Sequence, residues 1–70
     1  MIKKGTSVQW IWGSGTAKGK VTETFTEEIT KTIKGSKITR KGSKENKALL
    51  IEQEDGDKVL KLESEVEKLS

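Results

Sequence analysis

The chain contains no cysteine, histidine, proline or tyrosine. Without cysteine, neither a disulfide nor a thiolate metal site can staple the fold. Without histidine, the commonest metal ligand and the usual proton shuttle near neutral pH are missing. Aromatic side chains are scarce, being confined to Trp10, Trp12 and Phe25. No stretch approaches the roughly 20 apolar residues of a bilayer-spanning helix, and the first residues lack the apolar run of a signal peptide. The expectation is a soluble, cytoplasmic protein with no membrane association, no metal and no cofactor.

What is present must fold with little. The 70 residues make one domain, residues 1–70. A domain of this size buries only about 60% of the surface its unfolded chain exposes. Hydrophobic residues are 30% of the chain against 36% charged, so a few large side chains must carry the interior. The candidates are Val8, Trp10, Val21, Phe25, Ile29, Ile33, Ile38, Leu49, Ile51, Leu60 and Leu62.

Alternation of Val8, Trp10 and Trp12 predicts a half-buried strand over Thr6–Trp12, stopped by Gly13-Ser14-Gly15. A second strand resumes near Ala17 with Val21, Glu23 and Phe25 on one side. A bulge or kink at Glu27-Glu28 leads into a third strand over Ile29–Lys34. The many threonines of this region suit a pleated surface better than a helix. A turn over Lys34-Gly35-Ser36-Lys37 predicts a hairpin with Ile33 opposite Ile38 and Lys31 opposite Arg40. Such facing cations need an offset from outside the hairpin. Residues 41–47 hold no apolar side chain and read as an exposed loop. Asp55-Gly56 then suits a two-residue turn, pairing Leu49 with Leu62 and Ile51 with Leu60. These four aliphatics would share one face, with Leu50 and Val59 on the other. The tail changes period, and Ser64 with Glu67 fits a capping box on one short helical turn.

The net charge of +3 is unevenly spread. Residues 1–44 carry ten Lys or Arg against three Glu, while residues 45–70 carry four Lys against eight acids. Two arrangements are open. Either the first part presents a basic face to an anionic partner, or the two parts lie side by side and neutralise each other.

Three ordered blocks carry a resemblance. They are Val8-Gln9-Trp10-Ile11-Trp12-Gly13-Ser14-Gly15-Thr16-Ala17-Lys18-Gly19-Lys20-Val21, Thr30–Arg40 and Ile51–Lys61. Together they resemble the hypervirulence-associated Tudor-like domain family, small microbial proteins of largely uncharacterised function. The resemblance implies an all-β fold, a five-stranded antiparallel SH3-like barrel with a short C-terminal helical turn. Family members often carry a proline and an aromatic before the Ile-x-Gln-x-Asp-Gly block, where this chain has Lys47 and Leu49. The resemblance implies no substrate, because fold alone does not give function.

Candidate chemistry narrows quickly. Tudor-type barrels are known for aromatic cages that hold methylated lysine or arginine by cation–π attraction. Here Trp10 and Phe25 share the parity of the core, leaving Trp12 alone beside the first loop. Lys31, Lys34, Lys37, Arg40, Lys41 and Lys44 form a run without an acid between residues 30 and 44. With Trp12 as a stacking platform, such a run could hold a single-stranded nucleic acid. The acids around Asp55-Gly56 are too few and too close to wrap a calcium ion. Gly13-x-Gly15 does not open a helix and so makes no phosphate loop. Carboxylates on exposed strands and turns offer no pocketed acid–base pair, so no enzymatic activity is expected.

The sequence therefore points to a non-enzymatic binding or adaptor module. Its candidate site joins Trp12 to the basic hairpin residues Lys31, Lys34, Lys37 and Arg40. The expected partner is a protein or peptide, with nucleic acid on the same basic face as the alternative. An edge strand open to β-augmentation also allows a weak dimer beside the monomer.

Overall fold

The strand that organises the molecule is the longest one, β2, which is hydrogen-bonded on both sides. A computed structural model describes residues 2–69. β1 (Ser7–Trp12) pairs antiparallel with β2 (Gly15–Phe25), Val8 facing Gly19 and Trp10 facing Ala17. The other edge of β2 pairs with β5 (Ala48–Gln53), and β5 pairs with β6 (Lys58–Leu62). A two-residue β7 (Glu67–Lys68) lies on β1, giving the order β6-β5-β2-β1-β7. β3 (Glu28–Ile33) and β4 (Ser36–Lys41) form a separate two-stranded sheet that packs along β6. The fold is thus all-β, but the two sheets do not close into the one hydrogen-bonded five-stranded barrel that was expected.

A bulge in β2 changes which side chains meet. The register with β5 shifts between Val21 and Glu23, leaving Thr22 as the extra residue. Its hydroxyl donates to the Leu50 carbonyl at 3.1 Å. One added residue turns the strand over. Val21 therefore lies opposite Ile51 on one face, while Glu23 and Phe25 lie opposite Leu50 and Ala48 on the other. The simple alternation expected for Val21, Glu23 and Phe25 does not hold.

The β5–β6 hairpin also differs from the expected register, by one residue. Leu50 faces Leu60, Ile51 faces Val59, and Ala48 faces Leu62. The Gln53 amide donates to Asp57 O at 2.7 Å, and Gly56, at φ 90°, donates to Gln53 O at 2.9 Å. The loop thus holds three residues and ends in a left-handed glycine, instead of the two-residue turn expected at Asp55-Gly56. A slip of one residue exchanges the faces of a strand. Ile51 and Leu60 therefore sit on opposite faces, yet both are buried.

Two small interiors result, with β5 between them. Ile2, Val8, Trp10, Val21, Leu49 and Ile51 form the first, flanked by Ala17, Val59 and Val66. Ala48, Leu50 and Leu60 form the second, flanked by Phe25, Ile29, Ile33, Ile38 and Leu62. The last five were expected to be core but are only half-buried: Ile29, Ile33 and Ile38 sit on a hairpin just two strands wide, which covers Phe25 and Leu62 incompletely. Ile2, Ala48 and Leu50 join the core instead.

In the β3–β4 hairpin the turn centre is Lys34-Gly35, with φ of 52° and 78°. Positive φ at both central residues makes the turn type I′, whose twist matches the strands it joins. Thr30 then faces Thr39, their hydroxyls 2.8 Å apart, and Lys31 faces Ile38. Ile29 faces Arg40. The opposed cations expected from the sequence are absent from this register.

The segment 42–47 is less exposed than expected. Asn46 clasps Ser64, its Nδ2 donating to Ser64 Oγ at 3.1 Å and its Oδ1 accepting from the Ser64 amide at 3.0 Å. This holds a 3-10 turn over Glu63–Glu65. The carboxylate that caps it is Glu65, accepting from the Leu62 amide at 2.9 Å. Glu67, expected in a box with Ser64, lies in β7 and accepts from Gln9 Nε2 at 3.0 Å. Among the described residues, no helix is long and apolar enough to cross a membrane.

Candidate functional site

Where the two sheets diverge they leave a cleft of about 670 Å³. Trp10, Trp12 and Ala17 of the β1–β2 hairpin form one wall, and Val59, Leu60 and Lys61 of β6 another. Ile33, Lys34, Ile38 and Arg40 of the β3–β4 hairpin form the third, and Asp55 and Asp57 approach from the β5–β6 turn. The interior is apolar and the rim is charged. Trp12 is 73% exposed, so its indole is largely available, whereas Trp10 is 4% exposed and belongs to the core.

Alternation distributes the basic hairpin residues. Cross-strand partners share a face, so Lys31, Ile33, Ile38 and Arg40 point inward with Ile29. Thr30, Thr32, Lys37, Thr39 and Lys41 point outward. Of the five residues singled out from the sequence, Trp12, Lys34 and Arg40 meet in the cleft. Lys37 lies on the outer face. Lys31 stands with its Nζ 5.4 Å from the centroid of the Phe25 ring. That ring face is therefore engaged by a cation of the same chain. With Trp10 buried as well, Trp12 is the one aromatic largely open to solvent, and the rings form no cage.

The charge asymmetry of the sequence is partly resolved by contact. Lys34 Nζ meets Asp57 Oδ2 at 2.7 Å, tying the tips of two hairpins. Arg40 Nε donates to Glu65 Oε1 at 3.1 Å, tying β4 to the 3-10 turn. Each contact joins the basic part of the chain to the acidic part. Exposed pairs of this kind contribute little to stability, but they fix which cations remain open.

The hydrogen bond from Lys34 to Asp57, with the attraction between their charges, raises the Lys34 ammonium above its ordinary pKa of 10.5. A lysine whose folded pKa is raised stabilises the fold fully below its unfolded value. That contribution fades as pH climbs through the folded value. Titration of the Lys34 side chain by NMR should therefore show a midpoint above 10.5 in the parent. In Asp57→Asn it should fall back toward that value, and an unchanged midpoint would mean the contact does not persist in solution.

Sequence reasoning missed Ile33, Ile38, Val59 and Lys61 as cleft residues. Lys61 was legible in principle, since it alternates with Leu60 and shares a side of β6 with Val59. The misplaced register hid which side that was.

The family model for the hypervirulence associated proteins TUDOR domain matches residues 5–66. The chain belongs to this family. The matched span takes in every strand of both sheets except β7, together with the whole cleft. This Tudor-like domain thus carries its most open aromatic, Trp12, at the mouth of that cleft. No curated protein and no solved structure matches the chain. The family is consistent with a small binding module, and the residues around the cleft specify what such a module offers.

Proposed function

We propose that this Tudor-like domain is a non-enzymatic module that binds a protein or peptide segment in the cleft between the β1–β2 hairpin, β6 and the β3–β4 hairpin. The observation that carries this reading is Trp12, a large apolar side chain left 73% exposed beside a cleft of about 670 Å³. A tryptophan offers wide apolar contact at low entropy cost, which is why such residues anchor interfaces. Around it lie aliphatic walls and ion-pairing groups, which recognise a partner without transforming it.

Selection of random displayed peptides on the folded domain tests the proposal. Selected sequences are expected to lose roughly tenfold or more in affinity on Trp12→Ala, since such an anchor is worth about 2 kcal/mol. Thermal unfolding should barely move, because the indole is exposed and carries little of the core. Peptides that bind parent and variant equally, or a selection that enriches nothing, would overturn the reading.

A further inference from the structure

We infer that the cleft receives an extended acidic segment of another protein, laid as an added strand on the open edge of β1, with an apolar side chain against Trp12 and a carboxylate at Lys61. This rests on the peptide-binding reading above and gives that ligand its chemistry.

The open edge follows from the ladder. The Ser7 carbonyl accepts from the Leu69 amide at 2.9 Å, so Ser7 directs its backbone groups to the β7 side. Alternate residues of a strand point the same way, which sends the N–H and C=O of Gln9 and Ile11 to that side too. The β7 pairing runs no further along β1 than Gln9. Beyond it, Ile11 keeps its backbone groups on an uncovered edge, and its side chain is 84% exposed. The next residue is Trp12, which lines the cleft. An extended chain docked here gains backbone hydrogen bonds and places alternate side chains toward the cleft.

Charge sets the sign of the ligand. The cleft is lined by Lys34, Arg40, Lys58 and Lys61 against Asp55 and Asp57. Lys34 is engaged by Asp57 and Arg40 by Glu65. Among the described residues, Lys58 and Lys61 make no ion pair. Lys61 is half-buried, shares the Val59 side of β6 and lines the cleft. An incoming carboxylate finds an unengaged cation there. A nucleic acid is a poorer match. Single strands are held by a positively charged groove with aromatic platforms, whereas Lys37 and Lys41 face away from Lys31 and Arg40 and Trp12 is the one largely exposed ring.

The test uses the whole chain and labelled short peptides of alternating valine and glutamate, with lysine and serine counterparts, beside an oligothymidylate of similar length. The glutamate peptide is expected to bind roughly tenfold or more tightly than the lysine peptide, and to weaken as salt rises. Lys61→Glu should cost that peptide about tenfold and Lys61→Gln somewhat less, while Lys37→Glu on the outer face leaves it unchanged. Circular dichroism confirms that each variant is folded, and the salt series on the parent reads the same charge dependence without any substitution. Equal binding of the three peptides, indifference to Lys61→Glu, or tighter binding of the oligothymidylate would overturn the inference. Trp12-dependent peptides without an excess of acid would refute the charge assignment and leave the cleft reading standing. Peptides of every charge that ignore Trp12 would refute both.

Discussion

Ile51→Ala is expected to lower the unfolding free energy by about 3–4 kcal/mol and the thermal midpoint by roughly 15–25 °C. Ile51 is fully buried in the first interior, packed with Val8, Trp10, Val21 and Leu49. The cost combines lost transfer energy with that of the cavity left behind. Chains of this length have total stabilities on the order of 5 kcal/mol, so most of the folding free energy would go. Val59→Ala, at the half-buried position opposite, should cost clearly less. Urea unfolding of the two variants makes the comparison, and an Ile51→Ala loss below about 1 kcal/mol would contradict the packing described.

Gly42→Ala is the second large effect, expected at about 2–3 kcal/mol. The Gly42 amide donates to the Glu27 carbonyl at 3.2 Å, extending the β3–β4 ladder by one step at its base. A methyl group there would lie 2.5 Å from Phe25 O, 2.9 Å from the Ala48 amide nitrogen and 3.0 Å from Glu27 O. All three are backbone atoms, so none can swing aside. The hairpin base would have to move away from β2 and β5, disturbing the cleft along with the fold. Gly15→Ala is the control. Its new methyl meets nothing closer than Trp12 O at 4.0 Å, and its φ lies outside the left-handed range. It should be neutral within about 0.5 kcal/mol. Thermal melts of both variants decide the matter, and similar midpoints would refute the close approach at Gly42.

The succession of β1 to β6 along the chain and the position of nearly every turn were legible in the sequence; the order of strands within the sheet and β7 were not. Glycines and alternating aliphatics mark the former directly. Registers were not legible either, and the reasons are local. β5 reads Ala48-Leu49-Leu50-Ile51, apolar at every step, so alternation could not say which residues share a face. Asp55-Gly56 suits a two-residue turn as well as a three-residue loop that ends in glycine. In the other hairpin the turn centre includes Lys34 in the left-handed region, where lysine is uncommon. The Thr22 bulge left no mark in a segment where threonine occupies every second position.

Trp12 and its two cleft partners, Lys34 and Arg40, were visible as residue types near a loop and a hairpin. Their meeting depends on how far the hairpin folds over β6, which is a long-range property. The split of Lys31 from Lys37 follows from strand alternation once the register is known. Lys61 needed the β5–β6 register as well, and that was the pairing the apolar run concealed.

The fastening between the hairpin tips has its own consequence. The Lys34 side chain is 69% exposed and that of Asp57 is 37%, so water already shares their attraction. Parting them moves neither ion to a poorer setting than the one it already shares with solvent. The two hairpin tips can therefore separate at small energetic expense, without the fold behind them loosening.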